Sequence, residues 1–212
     1  VYQSIAGIDI PDSKMIREAT DLVRIATDDL LFHHSRRVFL FGALHGRRLG
    51  LPFNPELLYV GAMFHDLGLT PLYRREDQRF ELDGADEARR FLQAHGVPEA
   101  STRLVWEAIA LHTTPEVPWR MEAEVALVTA GVETDVLGIG YHYLDVRDIE
   151  AVTAAHPRPG FKKAIVDAFA NGFRDRPDST FGTVNGDVLE HRVPGYRHID
   201  FVEVIENSDW PE

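Results

Sequence analysis

The chain has 212 residues, 44% of them hydrophobic and 26% charged, which is enough to bury a sizeable core and too apolar for a disordered segment. Its formal net charge of -12 disfavours general nucleic-acid binding, because that affinity rests on Lys and Arg against phosphates; a local basic pocket for one small anion is still allowed. There is no cysteine, so disulfide scaffolds, thiol nucleophiles and cysteine-ligated metal sites are excluded.

No apolar run approaches the roughly 20 residues that span a bilayer. The N-terminal "VYQSIAGIDIPDSK" has neither a basic region nor a long apolar one, so no signal peptide is expected and the cytoplasm is the default compartment.

Taken in order, the elements are helical. "SKMIREATDLVRIATDDL" puts Ile16, Leu22, Val23, Ala26 and Leu30 on one side, with charges between them. "LFHHSRRVFLFGALHGRRLG" follows as a second helix that stops at Gly50. The third, in "LPFNPELLYVGAMFHD", starts with Asn54 as cap and Pro55 at the first helical position. Further helices are predicted near Gly84–His95, Pro98–His112, Glu122–Val136, Arg147–Ala154, Pro159–Gly172, Thr183–Arg192 and Ile199–Glu206. Strand-like alternation is scarce. The fold class is therefore all-α, a single domain over residues 1–212 with no internal repeat or long linker. The charged stretch Arg74–Asp83 reads as a solvated connection or, alternatively, a flap over a pocket.

Polar groups interrupt the apolar faces. His34, Val38, Phe41 and His45 share one helical face, as do Val105, Ile109 and His112. The apolar third helix ends on His65 and Asp66, and Val128, Val132 and Asp135 align on a later helix. An unpaired buried carboxylate is strongly disfavoured, and one divalent cation would satisfy such carboxylates and imidazoles together. His45 and His95 read as hydrogen-bonded core histidines. His33 points about 100° from His34 on an ideal helix, so the two do not share a site. Asp135 alone could pair with an arginine.

"HHSRR" at 33–37, "FHDLG" at 64–68 and "GVETDVLG" at 131–138 together resemble the H…HD…D pattern of the HD-domain superfamily of metal-dependent hydrolases. The resemblance implies His34, His65, Asp66 and Asp135 as ligands of one divalent ion, zinc first and Fe, Mn, Co or Ni as alternatives. "HDLGLTP" at 65–71, "RFELDGADEARRFL" at 79–92, "VWEAIALHTT" at 105–114 and "TFGTVNGDVLE" at 180–190 resemble the cyanamide hydratase-like subgroup.

That subgroup implies water addition to a C≡N group, with Asp66 orienting a water whose pKa the metal lowers and His112 or Thr113 donating or orienting the proton that reaches nitrogen. The wider superfamily implies phosphomonoester hydrolysis, for which Arg36 and Arg37 are candidate phosphate holders if they do not serve structural ion pairs. Against it, no acid follows the His65-Asp66 pair until Glu76, whereas nucleotidase-type relatives place one shortly after, and Leu69 departs from the "HDxGK" form of cyclic-dinucleotide phosphodiesterases. A non-catalytic metal-binding domain is the third reading. Asn185 and Asp187 read as cap and turn residues, with Phe181 and Asn185 as candidate pocket lining. The partner expected is a small molecule, with a homo-oligomer possible and no nucleic acid or membrane.

Overall fold

Helix boundaries fall where capping residues can satisfy the free N–H groups of a first turn. The structure, a computed structural model, describes residues 3–210, so the outermost residues of the expected 1–212 domain lie outside the described range. Ser13 accepts from Ile16 N and opens α1 (Lys14–Ala26); Asp28 accepts from Leu31 N and opens α2 (Asp29–Leu49), which stops at Gly50 as predicted. Asn54 accepts from the N–H groups of Glu56 and Leu57 and opens α3 (Pro55–Phe64). The chain continues through α4 (Phe80–Ala94), α5 (Glu99–Ala110), α6 (Ala123–Val132), α7 (Val146–Ala155), α8 (Phe161–Phe173), α9 (Asn185–Arg192) and α10 (Phe201–Glu206).

The fold class is all-α. Its one departure among the described residues is a small hairpin, β1 (Ser4–Ile5) against β2 (Ile8–Asp9), too short to show as alternation in the sequence. No helix among the described residues is long and apolar enough to cross a membrane.

The first helix ends at Ala26, so Leu30, expected on its apolar side, lies in α2 beyond the Asp28 cap. Two later boundaries also differ from expectation. α4 begins at Phe80, four residues before the predicted start at Gly84, and Glu81 and Asp83 are buried in its first turn rather than solvated. Asp83 is held there by the buried Arg176 guanidinium from beyond α8, and by Arg75 N and Gln78. The helix expected over Glu122–Val136 instead ends at Val132 and widens into a π-turn at Glu133–Leu137, which carries Asp135. Such turns often mark functional sites.

α3 is buried along almost its whole length, from Leu57 to Phe64, with α1, α2, α4, α5 and α6 packed around it. Val38, Phe39, Leu58, Phe64, Val105, Ile109, Leu127 and Val128 form the centre of this main core. A second cluster joins Leu31, Leu69 and Phe80 to Phe161, Ile165, Phe173 and Leu189, and so docks α8 and α9 onto the open end of the bundle. Close approach of two helices makes this geometry possible. A Cβ on Gly131 of α6 would stand 2.1 Å from the Val38 carbonyl oxygen of α2. One on Gly68, just after the His65-Asp66 pair, would stand 2.0 Å from the Phe80 carbonyl oxygen. Both glycines are required by the packing itself.

Candidate metal centre

The end of α3 is the point of convergence. α2 supplies His34 and the turn out of α3 supplies His65 and Asp66, all three buried. The bonds behind each imidazole fix its hydrogen. His65 Nδ1 donates to the Ala62 carbonyl oxygen at 2.7 Å, and His34 Nδ1 donates to Asp135 Oδ2 at 2.7 Å. Each ring therefore presents a bare Nε2 forward, and the two Nε2 atoms lie 3.1 Å apart. Asp66 Oδ2 is 3.2 Å from His65 Nε2 and 3.5 Å from His34 Nε2.

Three Lewis-basic atoms facing one another at this distance repel unless a proton or a cation sits among them. Their separations suit donors sharing one ion with bonds of about 2.0–2.2 Å. Both Asp66 oxygens are sealed from solvent and receive no hydrogen bond, which for a buried carboxylate is costly without a cation. The residues present therefore fit a divalent metal. Two imidazoles and a carboxylate, with no thiolate, suit Zn²⁺, Fe²⁺ or Mn²⁺.

Protonation follows the same logic. Burial alone would raise the Asp66 pKa, but the charge of His65, then those of His34 and His112, outweigh it and hold the carboxyl well below the carboxylate range. Burial would lower the His65 pKa, yet the Asp66 charge overcomes it and raises the value; in His34 burial wins over Asp135 and lowers it.

Asp135, the expected fourth ligand, has its oxygens engaged by other groups. Asp135 is not among the donors that reach one point; those are His34, His65 and Asp66. Its Oδ1 accepts from Arg37 Nε at 2.8 Å and Arg158 Nε at 3.1 Å, and its Oδ2 accepts from Arg37 Nη2 at 2.9 Å and His34 Nδ1 at 2.7 Å. All four lone-pair positions are taken. In this arrangement Asp135 stands behind the His34 ring, which it orients and whose tautomer it fixes. The arginine pairing that the sequence allowed for Asp135 is thus present twice, with Arg37 and Arg158. Arg36, the other candidate phosphate holder, donates to Tyr59 Oη at 2.6 Å. His33 turns away from His34, to His156 Nδ1 at 3.0 Å.

His112 approaches the cluster from the turn after α5, its Nε2 3.7 Å from Asp66 Oδ1. Its Nδ1 donates to the Ile109 carbonyl oxygen, and burial, aided by the His65 charge, lowers its pKa to about 4. It is a neutral imidazole with a bare Nε2, ready to accept a proton before it can give one. Thr113 donates its hydroxyl to Glu81, so it offers lone pairs only. His45 is a buried histidine bonded to Thr134, in line with its reading, whereas His95 is half-buried and bonds Glu18.

Sequence reasoning passed over Glu81, which accepts from Thr113, Asn185 and Arg79. The signal was present: Glu81, Ala85, Ala88 and Leu92 share an apolar helical face.

Beside the donors lies a cavity of about 420 Å³ lined by His34, His65, Asp66, His112, Thr113 and Asn185 at one end and by Val132, Val136, Leu137, Val166, Phe169 and Val188 elsewhere. A helical bundle that aims two imidazoles and a carboxylate into such a cavity defines a metal-dependent hydrolase frame. The family model described as HD domain matches residues 31–154, more than half of the chain, and the chain belongs to the HD-domain family, whose members are in general metal-dependent hydrolases. No curated protein matches the chain.

Proposed function

We propose that this HD-domain protein adds water to a small, uncharged molecule bearing a C≡N group, such as cyanamide or a nitrile, with one divalent ion, zinc first, held by His34, His65 and Asp66. The observation that carries the reading is the charge of the cavity. No Lys or Arg is among its lining residues, and Glu133 and Asp187 are. A phosphomonoester brings up to two negative charges, and desolvating them against apolar and acidic walls is unfavourable. Arg37 is committed to Asp135 and Arg36 to Tyr59, which leaves neither for phosphate. The segments that resemble the cyanamide hydratase-like subgroup support the same choice.

A divalent ion held there would lower the pKa of a water and so supply a nucleophile near neutral pH. The chain's own residues do the rest. The second oxygen of Asp66 orients the water. His112 Nε2 accepts a proton from it and returns that proton to the substrate nitrogen, so the triple bond loses one bond order as the C–O bond forms, and tautomerisation gives the amide. Thr113 orients through its lone pairs. Apolar walls exclude competing water.

The test is a panel of cyanamide, small nitriles, isonitriles and nucleoside monophosphates on metal-replete protein. Urea or amide formation supports the proposal. Phosphate release without amide formation overturns it in favour of a phosphohydrolase, and no turnover across the panel overturns it in favour of a non-catalytic metal-binding domain.

A further inference from the structure

Glu81 is a buried carboxylate outside the metal-facing donors. Its Oε1 accepts from Arg79 Nη2 at 3.0 Å, from Thr113 Oγ1 and from Asn185 Nδ2 at 3.1 Å. Thr113 and Asn185 both line the cavity that holds His34, His65 and Asp66. An ionised carboxylate can only accept, so it dictates where its partners' hydrogens go. Burial alone would raise the Glu81 pKa, but Arg79, His112 and Thr113 outweigh it and lower it, which keeps the group ionised.

The consequences are geometric. The Thr113 hydroxyl hydrogen points back at Glu81, which leaves oxygen lone pairs for the cavity. The Asn185 amide must face Glu81 with its NH₂, so its Oδ1 points the other way. That oxygen has no protein donor, yet it is not among the unpaired polar atoms sealed from solvent, so the cavity reaches it. The same holds for His112 Nε2. Asn185 is further fixed by its own backbone N–H, which donates to Thr183 Oγ1 at 3.1 Å. Three lone-pair donors thus share the end of the cavity beside the metal-facing atoms.

We infer that Glu81 is a positioning residue and Asn185 a specificity residue. Glu81 sets the amide of Asn185 and the hydroxyl of Thr113 so that this wall accepts hydrogen bonds, and the cavity selects molecules that carry N–H or O–H donors next to the group attacked. The inference rests on the proposed function only in taking this cavity as the substrate site. Within that function it divides C≡N compounds: those with an adjacent NH or NH₂ are taken, and fully substituted analogues are not. A site built to pair with a donor rejects the analogue that lacks it, because its own acceptors are left unpaired.

The test measures binding rather than turnover, on the full metal-loaded chain. Acetamide and N,N-dimethylacetamide are titrated calorimetrically against wild type, Asn185→Leu and Glu81→Gln. Wild type should prefer acetamide at least tenfold. Leu at 185 keeps the branched shape of the side chain and removes the acceptor, and the preference should fall to threefold or less. Gln at 81 can donate to Asn185 Oδ1, which lets the amide turn its NH₂ to the cavity, and the preference should fall there too. If E81Q fails to fold, as a melt would reveal, Asn185→Leu decides alone.

Where cyanamide is hydrated, Asn185→Leu should raise KM more than it lowers kcat, and dimethylcyanamide should lose less than cyanamide in this variant. Equal wild-type binding of the two probes overturns the inference, as does a wild-type preference that survives in Asn185→Leu. Either result leaves the hydration reading standing. Conversely, a preference that responds to Asn185→Leu in a protein that hydrates nothing upholds the wall and overturns only the reaction.

Discussion

At Asp66, two oxygens without a hydrogen bond sit in a dry interior, and that fact sets the chemistry of the site more firmly than any pairwise contact. Asp66→Ala should abolish both metal content and activity; full activity with one ion retained would refute the assignment. Asp135 should behave differently. With its lone pairs occupied by Arg37, Arg158 and His34, Asp135→Asn should keep a bound ion but weaken its hold by about 10–100-fold, the usual cost of losing the group behind a ligating histidine. Chelator competition followed by elemental analysis would separate the two cases, since removal of a true ligand would leave the protein metal-free under the same conditions. The histidine ring orientation explains the difference: Nδ1 of His34 faces Asp135, so Nε2 alone faces the site.

At the scale of elements, the site depends on how closely α2, α3, α4 and α6 approach. Gly131 meets the Val38 carbonyl oxygen with no room for a methyl group. Gly131→Ala should destabilise the protein by about 1–3 kcal/mol, the usual penalty for overpacking, read from the denaturation midpoint. It should also loosen metal binding, because α6 carries the turn that holds Asp135 behind His34. Capping is a milder lever. Asn54→Ala removes acceptors for Glu56 and Leu57 N–H and should cost about 1 kcal/mol while leaving metal stoichiometry unchanged. A matching loss of metal in Asn54→Ala would mean that α3 carries the donors less rigidly than its burial implies.

At the scale of the whole molecule, acid sensitivity follows from buried neutral histidines. Burial, with the Arg48 charge, lowers the His45 pKa to about 4; burial, with the Arg36 charge, lowers that of His156 to about 3. Each is neutral when folded, whereas the unfolded chain takes up a proton near the ordinary histidine value. Below that value the unfolded state binds more protons than the folded one, so stability falls as pH falls. The loss should begin near pH 6.5, continue to about pH 3–4, and reach at most about 1.4 kcal/mol per pH unit for each histidine. Urea denaturation at stepped pH would measure it, and a flat profile between pH 7 and 5 would contradict it. Removing the metal with a chelator should lower the melting temperature at every pH, because an ion bound only by the folded state stabilises by mass action.

Much of this was present in the chain as written. Apolar period, the Asn54-Pro55 start and the stop at Gly50 determined α1 to α3 and the all-α class, because caps and helical spacing act over a few residues. His34, His65 and Asp66 stood out because a polar group on an apolar face needs a reason. What the sequence could not decide was which side of each group faces the site. The tautomer of His34, the pairing of Asp135 with Arg37, and the orientation of Asn185 by Glu81 depend on partners about 100 residues away. Hydrogen-bond direction is a property of paired atoms in three dimensions, so only the tertiary structure assigns it. The same distance hid the burial of Glu81 and Asp83: in a run of charges they read as solvated, until Arg176 and Asn185 close over them.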